Sequence, residues 1–167
     1  PRPVFRPTVP GEVAQQACTR AAILAGTDKL PVTCEVDEGL PMLCADADAL
    51  TDCLARLLVN AHEAVCGRPS PRIVLQVRCT GAEDDGRSLV FAVGDNGPGV
   101  AGDMRDKLFS PFSTTKPRGL GLGLPLARRA AVDHGGRIDV DTTANGTTVT
   151  VILPLKGRSD HDETLDC

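Results

Sequence analysis

The stretch "GLGLGLPLARRAAVDHGGRI", residues 119–138, decides how this chain is read. Three glycines alternate with leucines, and helix-favouring residues then run to His134 before Gly135 and Gly136 close the segment. Glycine loses more backbone freedom on folding than any other residue and is poor in a helix interior. Three of them at a helix start therefore need a reason. The first N–H groups of a helix lack intrahelical partners, and the aligned peptide dipoles favour negative charge there. Gly119, Gly121 and Gly123 leave those groups uncovered, so a polyphosphate can lie directly against them. The competing reading is a tight hinge without a ligand. The run contains no G-x-x-x-x-G-K-[ST] and no G-x-G-x-x-G after a strand, which excludes a P-loop and a Rossmann fingerprint.

Working outward, "RIDVDTT" (137–143) and "TTVTVILPL" (147–155) flank Ala144-Asn145-Gly146, and Asn-Gly between alternating residues predicts a hairpin. Upstream, residues 96–118 lack a regular pattern and read as a lid or binding loop. Phe109 and Phe112 in that loop either anchor the lid or fill a satellite cluster. Lys116 and Arg118 place cations beside the glycines. "SLVFAVGD" (88–95) is apolar almost throughout and reads as a central strand buried on both faces, next to the alternating strand "RIVLQVRC" (72–79). Leu50, Cys53, Leu54, Leu57, Leu58, Ala61 and Val65 recur at helical steps, with Asp46 as N-cap and Gly67 and Pro69 as the stop. "LPVTCEV" (30–36) and "PMLCA" (41–45) predict a two-strand hairpin, and residues 11–25 a further helix. The expected architecture is α+β: a two-layer sandwich, with helices on one face of a mixed, mostly antiparallel sheet.

With 167 residues, 41% of them hydrophobic, the chain suits one domain with a real core. A net charge of −4 and the absence of Tyr and Trp argue against nucleic-acid binding. No apolar run is long enough to span a membrane and no signal peptide is evident. Beginning at Pro1 rather than Met, the sequence is expected to be a piece of a longer protein. The seven cysteines (18, 34, 44, 53, 66, 79 and 167) form no C-x-x-C and are odd in number. They read as small buried hydrophobes of a reducing compartment rather than as a metal or disulfide framework. No transition metal is assigned.

Two further stretches carry chemistry. Arg56, Asn60 and Glu63 lie along one flank of the Asp46 helix, beside its apolar stripe. A short amide has poor helix propensity mid-helix, and its oxygen suits a hard cation such as Mg²⁺. A solvated polar face is the plainer explanation. In "VGDNGPGV" (93–100), Asp95 ends the buried strand, where a carboxylate needs a donor. An adenine amino group is one, and Gly97 and Gly99 let a ring approach the backbone. The same residues also make an ordinary turn.

Taken in order, "LLVNAHEAV", "DNGPGV", "LFSPFSTTK", the glycine run and "NGTTVTVILPL" closely resemble the catalytic and ATP-binding domain of sensor histidine kinases, GHKL ATPases with the Bergerat fold. The resemblance implies residues 1–10 as a linker from a preceding dimerisation and phosphoacceptor domain, 11–155 as the ATP-binding domain, and 156–167 as a polar tail. It implies ATP and Mg²⁺ as cofactors, with Asn60 as metal ligand and Asn60 and Lys116 as catalytic residues. The nucleotide would be held by Asn60, Asp95, Gly97, Gly99, Phe112, Lys116, Gly119, Leu120, Gly121, Leu122, Gly123 and Thr147. Phe109 would help anchor the lid, Gly146 would belong to the hairpin near the base, and Thr148 is the alternative to Thr147 as a polar contact.

The implied activity is transfer of the ATP γ-phosphoryl group to a histidine on a separate phosphoacceptor domain, followed by a response regulator receiver domain. The implied setting is a cytoplasmic domain of a homodimeric parent, soluble or membrane-anchored, without nucleic-acid or direct membrane contact. Arg56 stands where many family members have Asn, and Glu63 where many have Lys. Neither His62, His134 nor His161 sits in a phosphoacceptor setting. Two other readings stay open: an anti-sigma-type serine kinase of the same fold, and a degenerate nucleotide-sensing module used for partner contacts.

Overall fold

The structure, a computed structural model, describes residues 2–82, 86–105, 107–109 and 123–155. Its elements are β1 (Arg6–Thr8), α1 (Pro10–Ala25), β2 (Val32–Val36), β3 (Leu43–Ala45), α2 (Ala47–Val65), β4 (Ile73–Thr80), β5 (Ser88–Asp95), α3 (Gly102–Arg105), α4 (Gly123–Asp133), β6 (Arg137–Thr143) and β7 (Gly146–Pro154). Strands β2-β4-β5-β7-β6 form one sheet, in which β2–β4 is parallel and the other pairs are antiparallel. The expected two-layer α+β architecture is the one found.

Packing centres on α2. Its stripe of Leu50, Leu54, Leu57, Leu58 and Val65 is buried, and α1, α4 and the sheet all pack against this helix. The sheet answers with Ile73, Leu75 and Val77 of β4, Leu89, Phe91 and Val93 of β5, and Val151 and Leu153 of β7, every second residue of each strand. α1 contributes Val13 and three alanines, Ala14, Ala17 and Ala21, all buried. On β5 the alternate residues Val90 and Ala92 point to the uncovered face yet are buried. Arg78 and Ile152 flank Val90 in register, as Gln76 and Thr150 flank Ala92. The expectation of a strand buried on both faces therefore holds.

The predicted hairpin of residues 30–36 and 41–45 does not form. β2 instead adds parallel to β4, setting Val32, Cys34 and Val36 opposite Ile73, Leu75 and Val77. This register places its apolar alternation on the core face. Leu43 and Ala45 lead straight into the α2 cap, and β3 pairs there with β1 in a separate two-stranded sheet. The first ten residues, expected as linker, thus contain a strand. In the C-terminal hairpin Thr143 pairs with Gly146, so Ala144 and Asn145 form the two-residue loop and the glycine opens β7.

The N-terminal segment is fastened at the point where α2 begins and α4 ends. Asp46 caps α2 by accepting from Ala49 N–H at 3.0 Å, and its second oxygen accepts from Val4 N–H at 2.9 Å. His134 donates from Nδ1 to the Ala130 carbonyl at 2.7 Å and accepts the Asp46 N–H at Nε2, 3.0 Å. The Phe5 ring meets the His134 ring edge-on at 5.1 Å between centroids. Burial opposes ionisation of Asp46, but the N–H donors of Ala49 and Val4 outweigh it, holding its carboxyl below the ordinary value.

The lowered carboxyl means that the Asp46 contribution is complete at neutral pH and is lost as the pH falls through the acid range. Asp46→Ala should lose about 1–2 kcal/mol at pH 7 in urea titrations, the usual magnitude for a lost N-cap. Asp46→Asn, which keeps a capping oxygen, should stay close to wild type at pH 7. It should also show a shallower loss of stability as the pH falls below about 4. An Asn variant with the wild-type acid slope would remove the charge from this account.

Candidate functional site

The residues singled out in sequence converge on one end of the sheet. Asp95 is the last residue of β5 and lies opposite Ile73 on one side and Thr147 on the other. Thr147 in turn lies opposite Thr142 of β6. Directly opposed residues share a sheet face, and Ile73 belongs to the core under the helices. Asp95, Thr147 and Thr142 therefore form a polar row on the helix-covered face, just where the apolar core stops. The Thr142 and Thr147 hydroxyls are 2.9 Å apart, and Thr142 Oγ1 also accepts the Val100 N–H at 2.9 Å.

Glycines bring the surrounding chain against this row. Gly97 donates its N–H to Asp95 Oδ1 at 2.8 Å. A Cβ on Gly97 would stand 2.9 Å from the Ala64 carbonyl oxygen of α2, so the loop rests on the helix backbone itself. Gly99, at φ +76°, lies against the Thr143 carbonyl so closely that a side chain has no room. Gly146, at φ +148°, meets the Asp95 carbonyl in the same way. Behind the loop, Asn96 accepts Arg72 N–H and donates to the Ser70 carbonyl, fixing the chain as it leaves β5.

One turn before Ala64, Asn60 is partly exposed, and its amide faces the first residue of α4. A Cβ added to Gly123 would lie 2.7 Å from Asn60 Nδ2 and 3.2 Å from Oδ1. The helix start after the glycine run is thus seated on the amide flagged in sequence. Arg56 points elsewhere in its pairing: its Nε donates to Asp52 Oδ2 at 2.8 Å. Glu63 is exposed and has a partner. Thr148 lies opposite Gly94, its hydroxyl 3.4 Å from where a Cβ would be. Beyond Thr142 a cleft of about 330 Å³ runs between β6 and Leu108–Phe109. The Arg128 guanidinium stacks over the Phe109 ring at 5.4 Å.

The structure thus brings Asn60, Asp95, Gly97, Gly99, Gly123 and Thr147 together. Phe112, Lys116, Gly119, Leu120, Gly121 and Leu122 lie outside the described residues, as do Arg118 and His161. Thr142 was missed. Its only trace in sequence is the alternation of "RIDVDTT", which sets it on the same face as Ile138 and Val140. Of the histidines, His134 is committed to the N-terminal fastening, and the buried Nδ1 of His62 has no hydrogen-bond partner among the described residues.

The family model for histidine kinase-, DNA gyrase B-, and HSP90-like ATPases matches residues 45–157. The chain belongs to this ATPase family. Sensory histidine kinase/phosphatase NtrB of Rhizobium leguminosarum bv. phaseoli is 37% identical over 162 residues, 92% of this chain and 42% of that protein. Sensor histidine kinase ZraS of Escherichia coli (strain K12) is 33% identical over 132 residues, 78% of this chain and 27% of that protein. The ATPase domain described here therefore spans less than half the length of these relatives. The catalytic domain of histidine kinase ThkA superposes with a TM-score of 0.73 at 24% identity, covering 91% of this chain and 96% of that one. The mycobacterial sensor histidine kinase MprB does so with the same score and identity, covering 93% and 100%. These likenesses show the fold of a histidine kinase catalytic domain.

No helix among the described residues is long and apolar enough to cross a membrane. Among them there is also no group of three or more His, Cys, Asp or Glu side chains that could hold a metal ion.

Gly146→Ala combines a strained φ with a Cβ against the Asp95 carbonyl and should destabilise the domain by ~2 kcal/mol or more. Gly102→Ala, where a Cβ meets open space, should change stability by less than about 0.5 kcal/mol. Urea titrations of both variants check this, and equal small effects would contradict the close approach at Asp95.

Proposed function

We propose that this domain binds ATP with Mg²⁺ at the Asp95 end of the sheet and transfers the γ-phosphoryl group to a histidine of a separate phosphoacceptor domain. The observation that carries the reading is the Asp95–Thr147–Thr142 row on the helix-covered face, with Asn60 and the start of α4 at the same end. A carboxylate accepts several donors at once, so Asp95 can take the adenine amino group while holding Gly97 N–H. Thr147 and Thr142 add polar contacts beside the base. The missing side chains at Gly97, Gly99 and Gly146 let the backbone of loop, helix and strands close around Asp95 and hold it in place. The α4 N-terminus at Gly123 suits the phosphate chain, and Lys116, Gly119 and Gly121, which precede it in sequence, are the residues the family resemblance gives the same task.

The residues present fit Mg²⁺ in its usual nucleotide-bound form. Asn60 offers one hard oxygen, the kind of single protein ligand that suits an ion held chiefly by phosphates and water. Bound there, Mg²⁺ neutralises charge on the phosphates. The chain's own part is positioning: Asp95 would orient the base, the α4 N-terminus would align the phosphates, and Asn60 would offer the ion a ligand. Phosphoacceptor, response regulator and a homodimeric parent are the partners this reading requires.

Calorimetric titration of ATP, with and without Mg²⁺, tests the site. Asp95→Asn should remove measurable ATP binding from a folded domain, because it turns an acceptor toward a donor. Asn60→Ala should weaken binding about tenfold, near 1.4 kcal/mol, with Mg²⁺ and much less without it. Normal ATP binding by Asp95→Asn would overturn the pocket. Equal losses in both titrations would remove Asn60 from the metal. A folded wild-type domain that binds no ATP would favour the non-enzymatic module.

A further inference from the structure

Cys18 and Cys34 come from different layers of the fold and meet. Cys34 lies opposite Leu75 in the β2–β4 register, so it faces the helix layer together with Val32 and Val36. α1 crosses that face: a Cβ on Gly11 would stand 3.4 Å from Val36 Cγ1. Two turns further along α1, Cys18 packs against the rim of the core beside Ala14, Ala17 and Ala21. The two side chains lie close enough for each thiol to shift the ionisation of the other. β2 is an edge strand, and Cys34 is exposed, so reagents in solution reach it.

We propose that Cys18 and Cys34 are a thiol-oxidation site, closed by low-molecular-weight disulfides such as glutathione disulfide into an intramolecular disulfide that ties α1 to β2. The exposed Cys34, as thiolate, attacks one sulfur of glutathione disulfide and expels one glutathione thiolate. Cys18 then gives up its proton and attacks the Cys34 sulfur of the mixed disulfide, expelling the second glutathione. Two protein S–H bonds and one glutathione S–S bond are replaced by one protein S–S bond and two glutathione S–H bonds.

Which thiol starts follows from the surroundings. Burial pushes the Cys18 thiol up to about 11, with the neighbouring Cys34 adding to the rise. Burial also raises Cys34, but the neighbouring Cys18 thiol works in the opposite direction. Both thiols are mostly protonated at neutral pH, so the exchange is slow there and quickens toward alkaline pH. The crosslink would close a short loop of chain and restrict the unfolded state. It lies on the α1 side of the domain, whereas the candidate site lies where α2, α4 and the ends of β5 and β7 meet.

The test uses the reduced chain with glutathione disulfide at pH 8.5, followed by alkylation and non-reducing digestion with trypsin and a Glu-specific protease. The expected product has lost two hydrogens, carries no glutathione, and yields residues 13–20 joined to residues 30–35. Its thermal midpoint should rise by several degrees. Cys18→Ser should stop at a stable glutathione adduct on Cys34, with no such rise. ATP affinity of the oxidised chain should equal that of the reduced chain. A wild-type product that keeps glutathione on Cys34 with Cys18 alkylated would overturn the proposal. So would a crosslink from either cysteine to a different one.

Discussion

The apolar stripe of α2 has to be covered on several sides, and most of the domain exists to cover it. α1 supplies small side chains, α4 packs alongside, and β4, β5 and β7 supply the floor. A helix held this way cannot rotate without exposing leucines that are wholly buried. Asn60 stands at the boundary of that stripe, so its amide direction is set by hydrophobic packing on the other side of the helix. The polar site inherits its rigidity from an apolar constraint.

The second source of order is backbone contact without side chains. Around Asp95, backbone approaches backbone at three points so closely that only hydrogen fits between, at Gly97, Gly99 and Gly146. Each contact joins parts of the chain that are far apart in sequence: the loop to α2, the loop to β6, and β7 to the end of β5. The end of β5 that carries the Asp95 carboxylate is thereby held from several directions.

How legible this was in sequence depended on whether a feature was periodic or depended on a partner. The α2 stripe, its Asp46 cap and the doubly buried β5 could be read directly, because each is a local pattern with one good solution. Asn60, Asp95, Gly97, Gly99, Gly123 and Thr147 could be named and are found together, through their order along a recognisable chain rather than through any one of them. The pairing of β2 could not be read. An apolar strand of five residues fits a hairpin or a parallel edge equally well, and only the match to Ile73, Leu75 and Val77 decides. β1 was hidden for the same reason, since three residues become a strand only where β3 waits for them. Thr142 was invisible because its role comes from the strand beside it.

The topology also fixes when the site can come into being. β5 pairs with β4 just before it in sequence, but its other neighbour, β7, lies some fifty residues downstream across α4 and β6. During synthesis from the N-terminus, Asp95 leaves the ribosome long before Thr147 and Thr142, and one edge of β5 must wait unpaired. α2, α1 and the β4–β5 pair can collapse in that interval, because their contacts are already in the emerged chain. The polar row cannot. It is completed by the last hairpin made, so a chain released early would hold much of a core and none of the pocket.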